Sequence, residues 1–405
     1  MSKTSISGIP ATRLRSDCVV AYTPATGGAL KITVRSKVLA LYGEAIRQQA
    51  AATLADLEIA SGHLEIDDFG ALPFVLQARI EAAVKGAYPD LQAVSLPPRT
   101  DHKRVKSSRD RFRRSRLYIP GVQPKMMVNA ALHGADGIIL DLEDSVAPAE
   151  KLSARLIVRN ALRVLDFGAS ERMVRINQGA RGRRDLEAII PEPVQLILAP
   201  KVESAEELRA IDQLISDISQ AAGRKEPVYL MPILESALGI TRAVEIAAAS
   251  PSNVALAIGL EDYTADLGVQ RTEEGRESFY ARSVLVNAAR AAGLQAIGTV
   301  YSDVDNEAGL AAAAREARSL GYDGMGAIHP RQVGIIHAGF APDAGEVEKA
   351  QEIVRAFQAA EEQGLGVVAL GSKMIDPPVV KRAQRTVDLA VAAGLLKRGW
   401  KGKAK

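Results

Sequence analysis

The 405-residue sequence predicts an α/β protein: a (β/α)8 TIM barrel preceded by a small α+β domain and followed by a C-terminal helical arm. Three observations lead there. From about residue 114, short and nearly continuous apolar segments alternate eight times with amphipathic stretches, the pattern of parallel strands buried on both faces. No GxGxxG or GxxxxGKS/T turn is present, although an open doubly wound sheet usually carries one after its first strand. The composition, 47% hydrophobic and 24% charged, is that of a globular chain able to bury a large core, and the length suits two or three domains.

The elements follow in order. Residues 1–95 form the first unit, with strands at Cys18–Tyr22 and Leu30–Val34 and an Ala-rich helix over about Ser36–Ser61. A strand at His63–Asp67, an Asp-Phe-Gly turn and a helix over about Pro73–Ala87 complete it. Pro97-Pro98 opens a basic linker, 96–113. The barrel, 114–340, has strand candidates RLYIPG (116–121), GIILDLE (137–143), MVRIN (173–177) and QLILAPK (195–201). VYLMPILE (228–235), VALAIGLED (254–262), QAIGTVYS (295–302) and GMGAIHP (324–330) complete the eight. The arm, 341–405, is expected to be helical with a break over Gly364–Pro378.

Several function classes are excluded. No apolar run reaches the ~18–20 residues of a membrane span, and MSKTSISGIPATRLRSD has no secretory-type apolar stretch, so a cytoplasmic enzyme without a membrane partner is expected. A single cysteine and five scattered histidines form no disulfide and no zinc motif. Residues 99–116 carry nine Lys/Arg against two Asp. Without interleaved aromatics or a nucleic-acid-binding motif, that run is expected to be a solvated linker or an arm docked on an acidic neighbour, with no nucleic-acid partner.

Barrel active sites lie at the C-terminal ends of the strands. Here those ends carry Asp141, Glu143, Asp144, Arg175, Lys201, Glu235, Glu261, Asp262 and His329. Carboxylates at several strand ends, with Arg and Lys nearby and no cysteine, suggest a hard-cation site for Mg2+ rather than zinc.

The segments RLYIPG, LDLEDSVAPAEK, VRIN, APKVES, ILESALGI, GLEDYTADLG, AIHPRQV and SKMIDPP occur in this order over residues 114–385. Together they closely resemble the HpcH/HpaI aldolase and citrate lyase β-subunit family of Mg2+-dependent acyl-CoA lyases, which includes malyl-CoA and citramalyl-CoA lyases. The resemblance implies Glu235 and Asp262 as metal ligands, Arg175 on the substrate, Tyr118 and Lys125 on a CoA thioester, and Ile328 and His329 as a further substrate-contacting pair. It also implies that Asp376 is an acid/base residue supplied by a neighbouring subunit of a homotrimer or homohexamer. Asp141, Glu143, Asp144, Lys201 and Glu261 are expected to stand behind these groups. One departure is Gly298, where relatives usually have Asp.

The implied reaction is reversible cleavage of a 3-hydroxydicarboxyl-CoA such as malyl-, citramalyl- or citryl-CoA into acetyl-CoA, or a homologue, and a 2-oxo acid. The alternatives are a citrate lyase component acting on carrier-bound citryl groups and a non-catalytic assembly scaffold. ALKITVRSKVLALYGEAI and LEIDDFGALPFVLQARIEAA in the first unit resemble the citrate lyase γ-subunit, an acyl carrier protein. The arm-bearing serine of that family falls on Arg15 of ATRLRSD, which cannot carry the arm, and Ser16 beside it is the candidate attachment site if the register slips by one.

Overall fold

The computed structural model describes residues 4–9, 15–100, 105–362, 364, 366–370, 373–397 and 399–400. Parts of the carrier-like motif (11–14), of the basic run (101–104) and of the segment before MIDPP (371–372) lie outside the described residues.

The first unit contains β1 (Ser5–Ser7), β2 (Cys18–Thr23), β3 (Leu30–Ser36), α1 (Leu39–Asp56), β4 (Gly62–Asp68) and α2 (Pro73–Ala87). The sheet order is β1-β2-β4-β3; β2 pairs antiparallel with β4, and β3 pairs with it in parallel across α1. Strict alternation explains its single buried face: Cys18, Val20 and Tyr22 of β2 and Leu64 and Ile66 of β4 point to one core. Short β1 was not legible in the sequence. α1 is also shorter than its Ala-rich composition suggested, because Glu58 turns into the left-handed region at φ 59° and ends the helix run.

The second unit starts with β5 (Ser115–Pro120), α3 (Pro124–Val128), β6 (Gly137–Asp141), α4 (Lys151–Val164), β7 (Glu171–Arg175), α5 (Gly179–Ile189), β8 (Leu196–Ala199) and α6 (Ala205–Ala221). It continues with β9 (Tyr229–Leu234), α7 (Ala237–Thr241), α8 (Ala243–Ala247), β10 (Ala255–Ile258), α9 (Leu260–Leu267), α10 (Arg276–Ala291), β11 (Gln295–Gly298), α11 (Glu307–Leu320), β12 (Gly324–Ala327) and α12 (Arg331–Phe340). Strands β5 to β12 close into a parallel barrel, β12 returning to β5. Ile139, Met173, Leu198, Met231, Ile233 and Ile297 fill its interior, while residues such as Leu117, Ile138 and Val174 face the helices. The strands are shorter than their apolar runs. Glu261 and Asp262 lie in the first turn of α9, not on β10, and Lys201 lies two residues past β8.

Both halves of the expectation for the basic run apply: residues 98–100 and most of 105–110 are exposed, while its C-terminal end docks on acidic partners and clamps the N-terminal end of the barrel. Arg113 and Glu171 are fully buried and bonded at 2.7 and 2.9 Å, and Arg113 also donates to Gln295 at 3.1 Å. Arg114 forms a two-pronged pair with Asp136 at 2.9 Å, and Arg109 donates to the Asn253 carbonyl at 2.8 Å. The two units meet where α2 packs on α4. Arg79 is 1% exposed and bridges Asp17 (2.8 Å) to Glu150 (2.6 Å), while Arg159 grips Glu81 at 2.7 Å.

The arm consists of α13 (Ala344–Glu362), β13 (Val368–Leu370), β14 (Lys373–Ile375) and α14 (Pro377–Ala392). The expected break therefore contains an antiparallel pair, β13 on β14. Arg318 holds Glu346 at 2.8 Å, and Arg385 pairs with Asp323, tying the arm to the barrel. Among the described residues no helix is long and apolar enough to cross a membrane.

The clamp makes a measurable claim. Glu171→Gln leaves the Arg113 charge buried and unneutralised, and we expect a loss of about 3–5 kcal/mol in unfolding free energy by denaturant titration. A double change of Arg113 and Glu171 to Met should regain much of it, since the desolvation cost of both ions disappears.

Candidate active site

A cavity of 420 Å³ opens at the C-terminal end of the barrel. Its walls include Tyr118, Asp141, Asp144, Arg175, Glu235, Glu261, Asp262 and Ile328. Barrel registry creates its first contact: Asp141 and Arg175 are partners across β6 and β7. The Arg175 fork donates from Nε and Nη2 to both Asp141 oxygens at 2.7 and 2.8 Å, and Nη1 reaches Glu143 at 2.9 Å. Burial acts to raise the Asp141 carboxyl, but hydrogen bonds from Arg175 and Ser145 outweigh it and hold the group below the usual range. Tyr118 lies against the guanidinium, 5.3 Å from its carbon to the ring centre.

Lys201 is the second organiser. Its Nζ lies 2.8 Å from Glu143, 3.3 Å from Asp144 and 3.6 Å from Asp262. Desolvation works against its charge, yet the three carboxylates prevail and raise its pKa. The residue has φ 53°, a strained region for a side chain with Cβ, at this concentration of acid. Lys151, the last residue of LDLEDSVAPAEK, donates to the Leu142 and Glu143 carbonyls at 2.8 and 2.6 Å and shapes the loop that bears these carboxylates.

Glu235 follows β9, is 4% exposed, and its buried Oε2 has no hydrogen-bond partner among the described residues. Burial first, and the negative charge of Asp262 second, push its carboxyl up to about 8. Gly259 makes room for it, since a Cβ there would stand 2.7 Å from Glu235 Cγ. An orphaned buried carboxylate oxygen facing a cavity that also holds Asp262 fits a divalent cation. Among the described residues no three His, Cys, Asp or Glu side chains converge in metal-holding geometry. Such a cation would therefore take two protein carboxylates and complete its shell with water and substrate oxygens.

The remaining expected residues are dispersed. Glu261 is at the cavity edge but turned to Arg271, 2.5 Å away. Lys125 is exposed on α3, and His329 Nδ1 accepts from the Arg331 amide at 3.2 Å; neither is among the residues around the cavity. Asp376 also lies away from its own chain's cavity, where Oδ1 accepts the Val379 amide at 3.2 Å as the N-cap of α14. Ser16 sits in a tight turn at φ 64°, its amide bonded to the Phe69 carbonyl at 3.2 Å. One lining residue escaped the sequence reading: Arg116, on the floor of the cavity, stands near the start of a largely apolar strand. Arg271, which holds Glu261, carried no strand-end signal either.

Residues 114–330 match the HpcH/HpaI aldolase/citrate lyase family, and residues 12–87 match an acyl carrier family described as malonate decarboxylase delta subunit (MdcD). The N-terminal likeness to an acyl carrier protein thus stands. The chain is 40% identical over 292 residues to citrate lyase subunit beta of Leuconostoc mesenteroides subsp. cremoris, covering 71% of this chain and 96% of that protein. It is 35% identical to L-malyl-CoA/beta-methylmalyl-CoA lyase of Cereibacter sphaeroides, covering 68% and 94%. A crystal structure of Mycobacterium tuberculosis CitE with magnesium, acetoacetate and coenzyme A superposes with a TM-score of 0.57 at 31% identity, covering 70% of this chain and 99% of that one. With this barrel, this acidic cavity and these relatives, the chain belongs to the HpcH/HpaI aldolase/citrate lyase family of lyases.

Proposed function

We propose that the protein is a Mg2+-dependent acyl-CoA carbon–carbon lyase that cleaves a 3-hydroxydicarboxyl-CoA into acetyl-CoA, or a homologue, and a 2-oxo acid. The observation that carries this reading is the Glu235 oxygen left, among the described residues, without a partner beside Asp262, in a cavity where Asp141, Asp144 and Glu261 are paired with arginines. Magnesium and coenzyme A occur together in the structure of the M. tuberculosis relative, which supports the cofactor and the substrate class.

Bound between Glu235 and Asp262, Mg2+ would act as Lewis acid and template for the hydroxyl and carboxylate of the fragment that becomes the 2-oxo acid. Arg175, fixed by Asp141, turns its remaining donor edge to a carboxylate or to charge on the reacting oxygens. In cleavage the Cα–Cβ bond breaks and its electron pair stays on the acetyl carbon, which takes up one proton, while the hydroxyl loses one. Asp376 of a neighbouring subunit is the proposed donor of that proton, in a trimer or hexamer, and Lys125 offers a point charge to CoA phosphates. Ile328, on the cavity wall, and His329, beside it but outside the cavity, are the proposed further substrate contacts.

The carrier-bound reading draws on the match at residues 12–87. Against it, Arg15 occupies the arm position, and the neighbouring Asp17 is buried on Arg79. Intact-mass spectrometry decides: an added phosphodiester-linked arm on Ser16 would revive the carrier.

The assay is release of acetyl-CoA from malyl-, citramalyl- and citryl-CoA with and without Mg2+. Glu235→Gln and Asp262→Asn are each expected to lower activity by more than about 100-fold while circular dichroism stays native, because each removes an anionic ligand from a hard cation. No cleavage of any ester with Mg2+ present would favour the scaffold reading.

Removing the cation with EDTA should expose a pH signature. The folded Glu235 carboxyl keeps its proton to about pH 8, whereas the free carboxyl loses it near 4.5. Between those values the folded state binds more protons than the unfolded one, so stability falls as pH rises through the window. Thermal unfolding midpoints should show this slope without cation and lose it with Mg2+ or in Glu235→Gln.

Subunit mixing tests Asp376. Asp376→Ala should lose ~10²–10⁴-fold in rate, and co-refolding it with inactive Glu235→Ala should restore activity if the residue acts across an interface. An active Asp376→Ala protein, destabilised by only ~0.5–2 kcal/mol, would reduce the residue to a helix cap.

A further inference from the structure

We infer that Arg116 closes the floor of the substrate cavity and selects substrates whose β-carbon bears a second carboxylate, the carboxymethyl-substituted (citryl) type over the methyl or unsubstituted types. This rests on the lyase reading above and narrows its substrate.

Arg116 lies on β5, one inward position below Tyr118, and its stem crosses the barrel beside Gly137, where a Cβ would approach Arg116 Cγ at 3.4 Å. The guanidinium reaches the opposite wall. Nη1 lies 3.2 Å from the Met231 sulfur on β9, and Nη2 donates to the Gly298 carbonyl on β11 at 3.2 Å. Nε is buried with no partner among the described residues, and the residue is 1% exposed. Among the described residues no ion pair is formed by Arg116, whereas buried Arg79, Arg113 and Arg159 each grip a carboxylate. Burial pushes its pKa down to about 10, so it keeps its charge at neutral pH.

A cation in an apolar barrel with only a sulfur and one carbonyl as acceptors is a costly arrangement unless an anion reaches it. The cavity supplies the route, because Arg116 lines it together with Ile233, Ala257 and Gly298. Of the two arginines around this space, Arg175 is already neutralised by Asp141 and Glu143. A substrate held at the rim through its hydroxyl and one carboxylate has a single substituent left to send downward. The short apolar sleeve of Ile233 and Ala257 suits a methylene, and the free guanidinium edge below suits a carboxylate. A methyl group or a hydrogen would leave the buried charge unsatisfied, which is how a polar site rejects an analogue lacking the polar group.

The test compares citryl-CoA with citramalyl-CoA for the native protein, Arg116→Met and Arg116→Lys, with Mg2+ present. We expect the native enzyme to favour the citryl ester in kcat/KM, and Arg116→Met to cut that preference by about 10- to 100-fold, chiefly through KM of the citryl ester. Arg116→Lys, which keeps the charge but not the fork, should fall between. A preference ratio that Arg116→Met leaves unchanged overturns the inference. Calorimetry of oxaloacetate against pyruvate in the Mg2+ form gives a readout independent of turnover. Native protein should bind the former more tightly, and Arg116→Met should bind both alike. If neither ester is cleaved, the lyase reading fails, and the 2-oxo acid titrations still decide whether Arg116 takes a carboxylate. Equal affinities in the native protein overturn it.

Discussion

Five carboxyl groups, on Asp141, Glu143, Asp144, Glu235 and Asp262, converge at the mouth of one barrel, and like charges so close cannot all stay ionised without cations among them. Arg175 and Lys201 supply two, and the surrounding geometry serves to keep them in place. Strand registry sets Arg175 opposite Asp141, Lys151 ties down the acidic loop, and Lys201 tolerates a left-handed backbone to reach three carboxylates. The residual imbalance falls on Glu235, whose raised pKa and unpartnered oxygen mark where positive charge is still missing. The proposed cation site is thus the remainder of an electrostatic sum rather than a separate ornament.

The same rule of paired burial operates elsewhere in the chain. Arg113 with Glu171 closes the lower end of the barrel, and Arg79 with Asp17 and Glu150 joins the first unit to the second. Such pairs add little net stability over apolar packing, but they penalise any misplacement that leaves one ion alone. They therefore set how the carrier-like unit sits on α4. Asp17 stands in the segment where a carrier would hold its arm, and here it is engaged in a buried bridge. A carboxylate committed in that way describes a docked unit more than a travelling one. Against this background of matched charges, Arg116 is conspicuous as a buried cation without an acid among the described residues.

Sequence alone determined the barrel and the first sheet, because side-chain periodicity is a local property: runs buried on both faces signal parallel strands, and alternation in Cys18–Thr23 and Gly62–Asp68 signals a one-sided sheet. It also placed Asp141, Arg175, Glu235 and Asp262 at one end of the barrel, since strand direction orders them. Tertiary structure alone decided where strands stop, that the basic run clamps the barrel floor, that Lys125 and His329 stay off the cavity of their own chain, and that Arg116 reaches it. The physical reason is distance along the chain. Arg116 meets Met231 115 residues away, and Arg113 meets Glu171 58 residues away. Whether a charge is solvated or buried, and with which partner, is settled only when strands remote in sequence close the barrel and remove the water between them.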